Sequence, residues 1–279
     1  MTATFGARLH RAMSAHGPLC AGIDPHRALV ESWGLTYDLA GLERFALSCV
    51  EAFAGRVAAV KPQSAFFEVF GSRGVAVLER VLVELREAGT LTILDVKRGD
   101  IGTTMAAYAE AFLGRDAVAP VDAITASPYL GYGALRPAID LALQTGRGVF
   151  VLALTSNPEG AAVQHAVHAG RSVAASVVEG ATVDNALARE RGELGSIGLV
   201  IGATVGTAVA DLELDLVTAA APVLAPGLGA QGGSPQDVAR VFGAARGQVL
   251  ASSSREILGA GPDVGRLATR AQKISDSLR

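Results

Sequence analysis

The chain has 279 residues, half of them hydrophobic, and a net charge of −3. That is enough for one large core, and the mild charge, with no basic tract or basic amphipathic helix, argues against a nucleic-acid or membrane partner. Two cysteines, Cys20 and Cys49, are too few for a disulfide framework and read as inert core thiols of a reducing, cytoplasmic setting.

The opening segment carries no apolar stretch of signal-peptide type. No apolar run approaches the roughly 18 residues that a membrane span needs. The segment ahead of residue 18 reads as an N-terminal helix. Short apolar runs then alternate with longer amphipathic stretches. The runs at 18–24, 56–61, 91–96, 122–126, 148–154, 196–203, 222–227 and 248–253 predict eight strands. Helical patterns fall between or after them, including 42–54, 75–88, 104–113, 135–143 and 265–277. Alternating strands and helices imply βαβ units and a parallel sheet. The strand runs are apolar throughout, as suits strands covered by helices. Eight repeats predict a closed (β/α)₈ TIM barrel, one domain over 1–279. Residues 155–170, after the fifth strand, form the longest irregular stretch and suit either a lid or a solvent-exposed insertion.

A barrel of this type places its chemistry at the C-terminal ends of its strands. The polar residues expected there are Asp24 at the end of strand one, Lys61 at the end of strand two, and Asp95 and Lys97 at the end of strand three. Strand five ends in Thr155, Ser156 and Asn157. Lysine occurs only at 61, 97 and 273. Two of the three thus stand at strand ends rather than on helix faces. Lysine, unlike arginine, moves protons readily, so their placement points to chemistry. Asp95 and Lys97 are two apart, which on a regular strand puts both side chains on one face. A barrel-mouth salt-bridge network would use the same residues. Asp100 opens a helical pattern and, on its own, reads as an N-cap.

Strand seven leads into Gly227-Leu-Gly-Ala-Gln231-Gly232-Gly233, and strand eight into Ser252-Ser-Ser254-Arg255. Loops seven and eight of such barrels commonly hold phosphate on backbone N–H groups and a following helix N-terminus. Arg255 can add a bidentate contact. Tight turns would also use these glycines.

Asp95-Val-Lys97-Arg-Gly-Asp100, followed by Ile101-Gly-Thr-Thr104, matches an Asp-x-Lys-x-x-Asp motif. With Gly22-Ile-Asp24-Pro25, the segment Val60 to Glu68, the segment Ala225 to Gly233, and Ser254-Arg255, the chain resembles the orotidine monophosphate decarboxylase family. These segments run in family order from residue 22 to 255. The resemblance implies that orotidine 5'-monophosphate is the substrate and UMP the product, with no cofactor and no metal. Lys97 would donate a proton to C6 of the pyrimidine, with Asp95 against the substrate carboxylate. Lys61 would bridge the carboxylates and touch the ribose, and Asp24 would bind the ribose. Asp100 and Thr104 would reach into a neighbouring subunit's site, making a homodimer. Gln231 and Arg255, with backbone around Gly232 and Ser254, would hold the 5'-phosphate. Pro226 would pack near the ring. Among Thr155, Ser156 and Asn157, Ser156 is the chosen reader of the pyrimidine edge.

Two positions depart from the pattern. Ser254 stands where many members have glycine, and Gly102 where the shorter branch has proline. The Asp-x-Lys-x-x-Asp run also occurs in hexulose-phosphate synthases, which need a divalent metal and a histidine near the site. His165 and His168 lie in the loop after strand five rather than at a strand end. A barrel that merely binds a phosphorylated metabolite is the remaining alternative; it leaves two strand-end lysines flanked by aspartates without a purpose.

Overall fold

The computed structural model describes residues 3–119, 121–229 and 232–279. Eight parallel strands close into a barrel: β1 (Leu19–Ile23), β2 (Ala59–Pro62), β3 (Leu91–Arg98), β4 (Ala123–Ala126), β5 (Gly148–Leu154), β6 (Ile197–Ile201), β7 (Val223–Pro226) and β8 (Val249–Ser253). They neighbour one another in chain order, and β8 pairs back onto β1 through Leu19 opposite Ala251. All eight expected strands form, trimmed by a residue or more at most ends.

The strands are almost wholly buried. One of their faces fills the barrel and the other meets a helix, so neither tolerates exposed polarity. The helices follow the amphipathic stretches: α1 (Phe5–His16), α2 (Leu39–Phe53), α3 (Gly71–Glu87), α4 (Gly102–Leu113), α5 (Arg136–Thr145), α6 (Val173–Asp184), α7 (Pro235–Phe242) and α8 (Val264–Ser277). Several shorter helical turns lie between them. Local chemistry sets several starts. Asp38 caps α2 through Gly41 N–H (2.8 Å), and Ser234 with Asp237 forms a capping box on α7.

Helix α1 lies ahead of the barrel and seals its N-terminal end. Thr4 caps it, accepting from Ala7 N–H (3.2 Å). Its apolar stripe of Phe5, Leu9 and Met13 packs with inward side chains such as Ile93, Phe150 and Leu250. Phe5 meets Phe150 edge to face with centroids 5.9 Å apart. Gly148 permits that approach, because a Cβ there would lie 2.3 Å from the Phe5 ring. Arg8 pairs with Asp122 and donates to Gly146 O (3.0 Å), while Asp122 accepts from Thr92 N–H (2.9 Å). The N-terminal mouth is therefore plugged, and the opposite mouth stays open.

Residues 155–170 are more ordered than their composition suggests. A 3₁₀ turn (Pro158–Gly160) and a short helix (Ala161–Gln164) lead into a hairpin that pairs Val167–His168 with Arg171–Ser172. Gln164 folds this segment back on β5, accepting from Thr155 N–H (2.8 Å) and donating to Thr155 Oγ1 (2.7 Å).

Candidate active site

At the open mouth a cavity of about 300 Å³ collects residues from the seven strands β2 to β8 and from the loops after the strands, Asp24 after β1 included. Its charged centre is Asp95. Lys61 Nζ donates to Asp95 Oδ2 (2.8 Å), and Lys97 Nζ donates to Asp95 Oδ1 (2.5 Å). The Lys61 and Asp95 side chains are 7% and 8% exposed, whereas Lys97 is 47% exposed. One lysine is thus sunk into the barrel wall and the other faces the cavity. Leu152, Val200 and Leu224 supply apolar lining.

Burial disfavours the charge on Asp95, but Lys61 and Lys97 outweigh it and hold the carboxyl at about 2, well below its ordinary 3.8. Burial likewise disfavours the Lys61 ammonium, and Asp24 and Asp95 more than offset that, raising its pKa. Asp95 and Lys61 are therefore both charged at neutral pH. Beneath them, burial pushes the Cys20 thiol up to about 12 despite the nearby Lys61, leaving it protonated and unreactive.

Lys97 does not meet Asp95 in the way a regular strand would arrange. The β3–β4 register runs Leu94 opposite Ile124, then jumps to Arg98 opposite Ala126. Residues 95–97 therefore bulge opposite a single residue, Thr125. Lys97 adopts φ +44°, a left-handed conformation unusual for a residue with a side chain. Bulges re-aim side chains beside active sites. Here the bulge turns the Lys97 amine back onto Asp95.

Asp24, just after β1, lines the same cavity. Its Oδ1 is buried and has no hydrogen-bond partner among the described residues. A buried acceptor of this kind suits a ligand hydroxyl. Pro226 ends β7 and lines the wall, with Ser254 and Arg255 at the rim after β8. Arg255 is exposed, and its neighbour Glu256 is engaged by Arg270 (2.6 Å). Gly22 makes room for Ser254, since a Cβ at 22 would lie 2.0 Å from Ser254 Oγ. Serine before the arginine is accommodated by a glycine on the facing strand. Gly232 is exposed with φ +87°, and Gly227 and Gly229 are also left-handed, so the loop after β7 folds through glycine conformations. Gln231 lies outside the described residues.

Other expected positions differ in detail. Thr155, rather than Ser156, lines the cavity. Ser156 and Asn157 are exposed, and Asn157 is tied to Thr155 (2.7 Å) and Glu159 (3.0 Å). Asp100 is not the helix cap it resembles. Helix α4 starts one residue later, with Ile101 as N-cap, and Asp100 Oδ1 accepts from Ile101 N–H (2.8 Å). Asp100 is half-buried, Thr104 is exposed, and neither lines the cavity within this one chain.

Two polar residues join the site without having been expected there. Gln63 lies within 3.4 Å of both Lys61 Nζ and the Asp95 carbonyl. Thr125 donates to Asp95 Oδ1 (2.9 Å) and accepts from Lys97 N–H (2.9 Å). Thr125 is the polar residue of an otherwise apolar fourth strand, so the strand-end rule could have found it. Among the described residues, no group of three or more His, Cys, Asp or Glu side chains is arranged to hold a metal ion.

Comparison with known proteins gives one answer. The model of the "Orotidine 5'-phosphate decarboxylase / HUMPS family" matches residues 17–269. A Streptomyces coelicolor orotidine 5'-phosphate decarboxylase is 57% identical over 278 residues, covering 99% of this chain and 97% of its own length. The same enzyme of Salinispora arenicola is 58% identical over 272 residues, covering 97% of this chain and 95% of its own. A crystal structure from Streptomyces avermitilis, provisionally assigned this activity, superposes with a TM-score of 0.94 at 55% identity, covering 99% of this chain and 95% of that one.

Proposed function

Because the chain belongs to the orotidine 5'-phosphate decarboxylase / HUMPS family, we propose that the Lys61–Asp95–Lys97 cluster is the catalytic centre of a lysine-assisted decarboxylation. The chain converts orotidine 5'-monophosphate to UMP and CO₂, a carboxy-lyase reaction of pyrimidine biosynthesis. The observation that carries the mechanism is the fixed ammonium of Lys97, held 2.5 Å from Asp95 and facing a cavity rimmed by the loops after β7 and β8.

In this reading the bond between C6 and the carboxyl carbon breaks heterolytically. CO₂ leaves, and the electron pair stays on C6 in the plane of the ring. The Lys97 ammonium stabilises that charge as it develops and delivers its proton to C6. Solvent then reprotonates the amine. A charge already in place needs no reorganisation at the moment of reaction, the source of its catalytic effect. Asp95 keeps the amine aimed and lies against the substrate carboxylate, a repulsion that CO₂ departure relieves. Lys61, buried and charged, holds Asp95 in turn and reaches toward the ribose.

Asp24 receives a ribose hydroxyl on its unpartnered oxygen. Arg255 and Gln231, with backbone N–H groups near Gly232 and Ser254, take the 5'-phosphate, and Pro226 packs against the pyrimidine. The polar set Thr155, Ser156 and Asn157 reads the ring edge, with Thr155 favoured by its place in the cavity wall. These contacts lie away from C6, so their binding energy can enforce the strained ground state.

The working unit is a homodimer in which Asp100 and Thr104 complete the neighbour's site. The loops after β3 and β4 lie side by side, with Ser127 N–H donating to Arg98 O (2.9 Å). They leave Ile101, Tyr129 and Leu130 exposed at 62%, 79% and 54%. An apolar patch beside Asp100 is what such an interface requires. The cytoplasm suits two free, buried thiols.

A direct test follows the loss of orotidylate absorbance with EDTA present. Turnover should persist in EDTA, and Lys97→Ala should lower kcat by at least about 10³-fold. EDTA-sensitive turnover, or an active Lys97→Ala chain, would count against lysine-assisted, metal-free chemistry.

A further inference from the structure

Strand β4 meets the bulge of β3 with a single residue, and that residue bonds to both halves of the catalytic pair. Thr125 is 1% exposed. Its Oγ1 accepts from the Lys97 backbone N–H at 2.9 Å and donates to Asp95 Oδ1 at 2.9 Å. The two bonds have a fixed sense. The amide can only donate, so the hydroxyl proton is left for the carboxylate.

The bulge makes this hydroxyl necessary. The ladder breaks off after Leu94 opposite Ile124 and resumes only at Arg98 opposite Ala126. The Lys97 amide falls inside the gap, and the threonine side chain replaces the missing backbone acceptor. Lys97 is also left-handed, at φ +44°. A residue held in such a conformation persists only where its surroundings over-determine it. One buried hydroxyl therefore anchors the backbone of the lysine at one end and the carboxylate that aims its amine at the other.

We infer that Thr125 is a positioning residue for decarboxylation, fixing Lys97 and Asp95 relative to each other through its hydroxyl rather than its bulk. The inference rests on the decarboxylase reading of the cluster. Thr125 does not deliver the proton; it keeps the Lys97 amine where C6 will be. Its loss should therefore appear in kcat and leave ribose and phosphate binding nearly intact.

The test compares Thr125→Val, Thr125→Ala and Thr125→Ser by kcat and KM for orotidine 5'-monophosphate, alongside titration with UMP. Valine preserves the volume without the hydroxyl, alanine removes both, and serine keeps the hydroxyl alone. The expected result is a fall in kcat of about 10- to 100-fold for both Val and Ala, with KM within about threefold of the parent and Ser recovering most of the rate. UMP should bind all three as it binds the parent chain. A Val variant with parental kcat beside a crippled Ala variant would assign Thr125 to packing and overturn the proposal. So would a Ser variant as slow as Val, or loss of UMP binding in step with kcat. An inactive parent chain would instead sink the decarboxylase reading itself, which separates the two failures.

Discussion

Asp95 is where burial and charge pull hardest against each other. Its carboxylate is sunk in the barrel wall yet remains ionised because two ammonium groups and a threonine hydroxyl surround it. Its folded-state pKa of about 2 lies below its ordinary 3.8. The sign is therefore that of a depressed acid: the stabilisation is complete above about pH 4 and is lost as pH falls toward 2. The difference corresponds to about 2 kcal/mol. Urea unfolding of the parent and of Asp95→Asn across pH 5 to 2 should show the parent losing about 2 kcal/mol more than the variant over the lower part of that range. Parallel curves would mean that Asp95 is not ion-paired in solution. At neutral pH the same substitution removes the carboxylate that Lys61 and Lys97 share and leaves the buried Lys61 with Asp24 as its remaining nearby carboxylate, so the variant should also be less stable, by about 3 kcal/mol.

Helix α1 illustrates an element whose amphipathic pattern is local but whose destination is not. Its stripe of Phe5, Leu9 and Met13 predicts only that one face is buried. The face goes to the N-terminal mouth of the barrel, where Phe5 is fully buried against Phe150. Phe5→Ala should destabilise the chain by about 3–5 kcal/mol, read as a lowered urea midpoint. Because the cavity opens at the opposite end of the strands, KM for orotidine 5'-monophosphate should be unchanged below the unfolding range. A raised KM with an unshifted midpoint would refute the plug. The bulge in β3 is the complementary case. Its residues read as a plain strand, and only the facing strand exposes the break in register.

At the scale of the whole molecule, the cavity of one chain lacks Asp100 and Thr104, while Ile101, Tyr129 and Leu130 stand exposed on the loops after β3 and β4. If two copies share their sites, Lys97→Ala and Asp100→Ala disable different halves of each site. Homodimers of either variant should be nearly inactive. A heterodimer then contains one site lacking both residues and one intact, and should recover up to about half of the parent activity. Mixing the variants under conditions that exchange subunits, with heterodimers verified by mass, makes the measurement. Heterodimers without recovered activity would remove Asp100 from the partner's site.

The amino-acid order alone determined the eight-strand barrel and most of the charged centre. Strand runs and helix faces repeat over short distances, and a barrel of parallel strands carries its chemistry at the strand ends. Asp24, Lys61, Asp95 and Lys97 were therefore legible, as were Pro226, Ser254 and Arg255 on the wall and rim. Tertiary structure alone decided which partners they meet. Thr125 entered the site because a register jump in β3 left one threonine facing three residues, and Thr155 rather than Ser156 lines the cavity where Gln164 folds the segment back on β5. Asp100 looked like a cap because aspartate often is one, but the chain turns one residue later, at Ile101. Register, bulges and loop closure depend on contacts between residues far apart in the chain, and local periodicity carries no record of them.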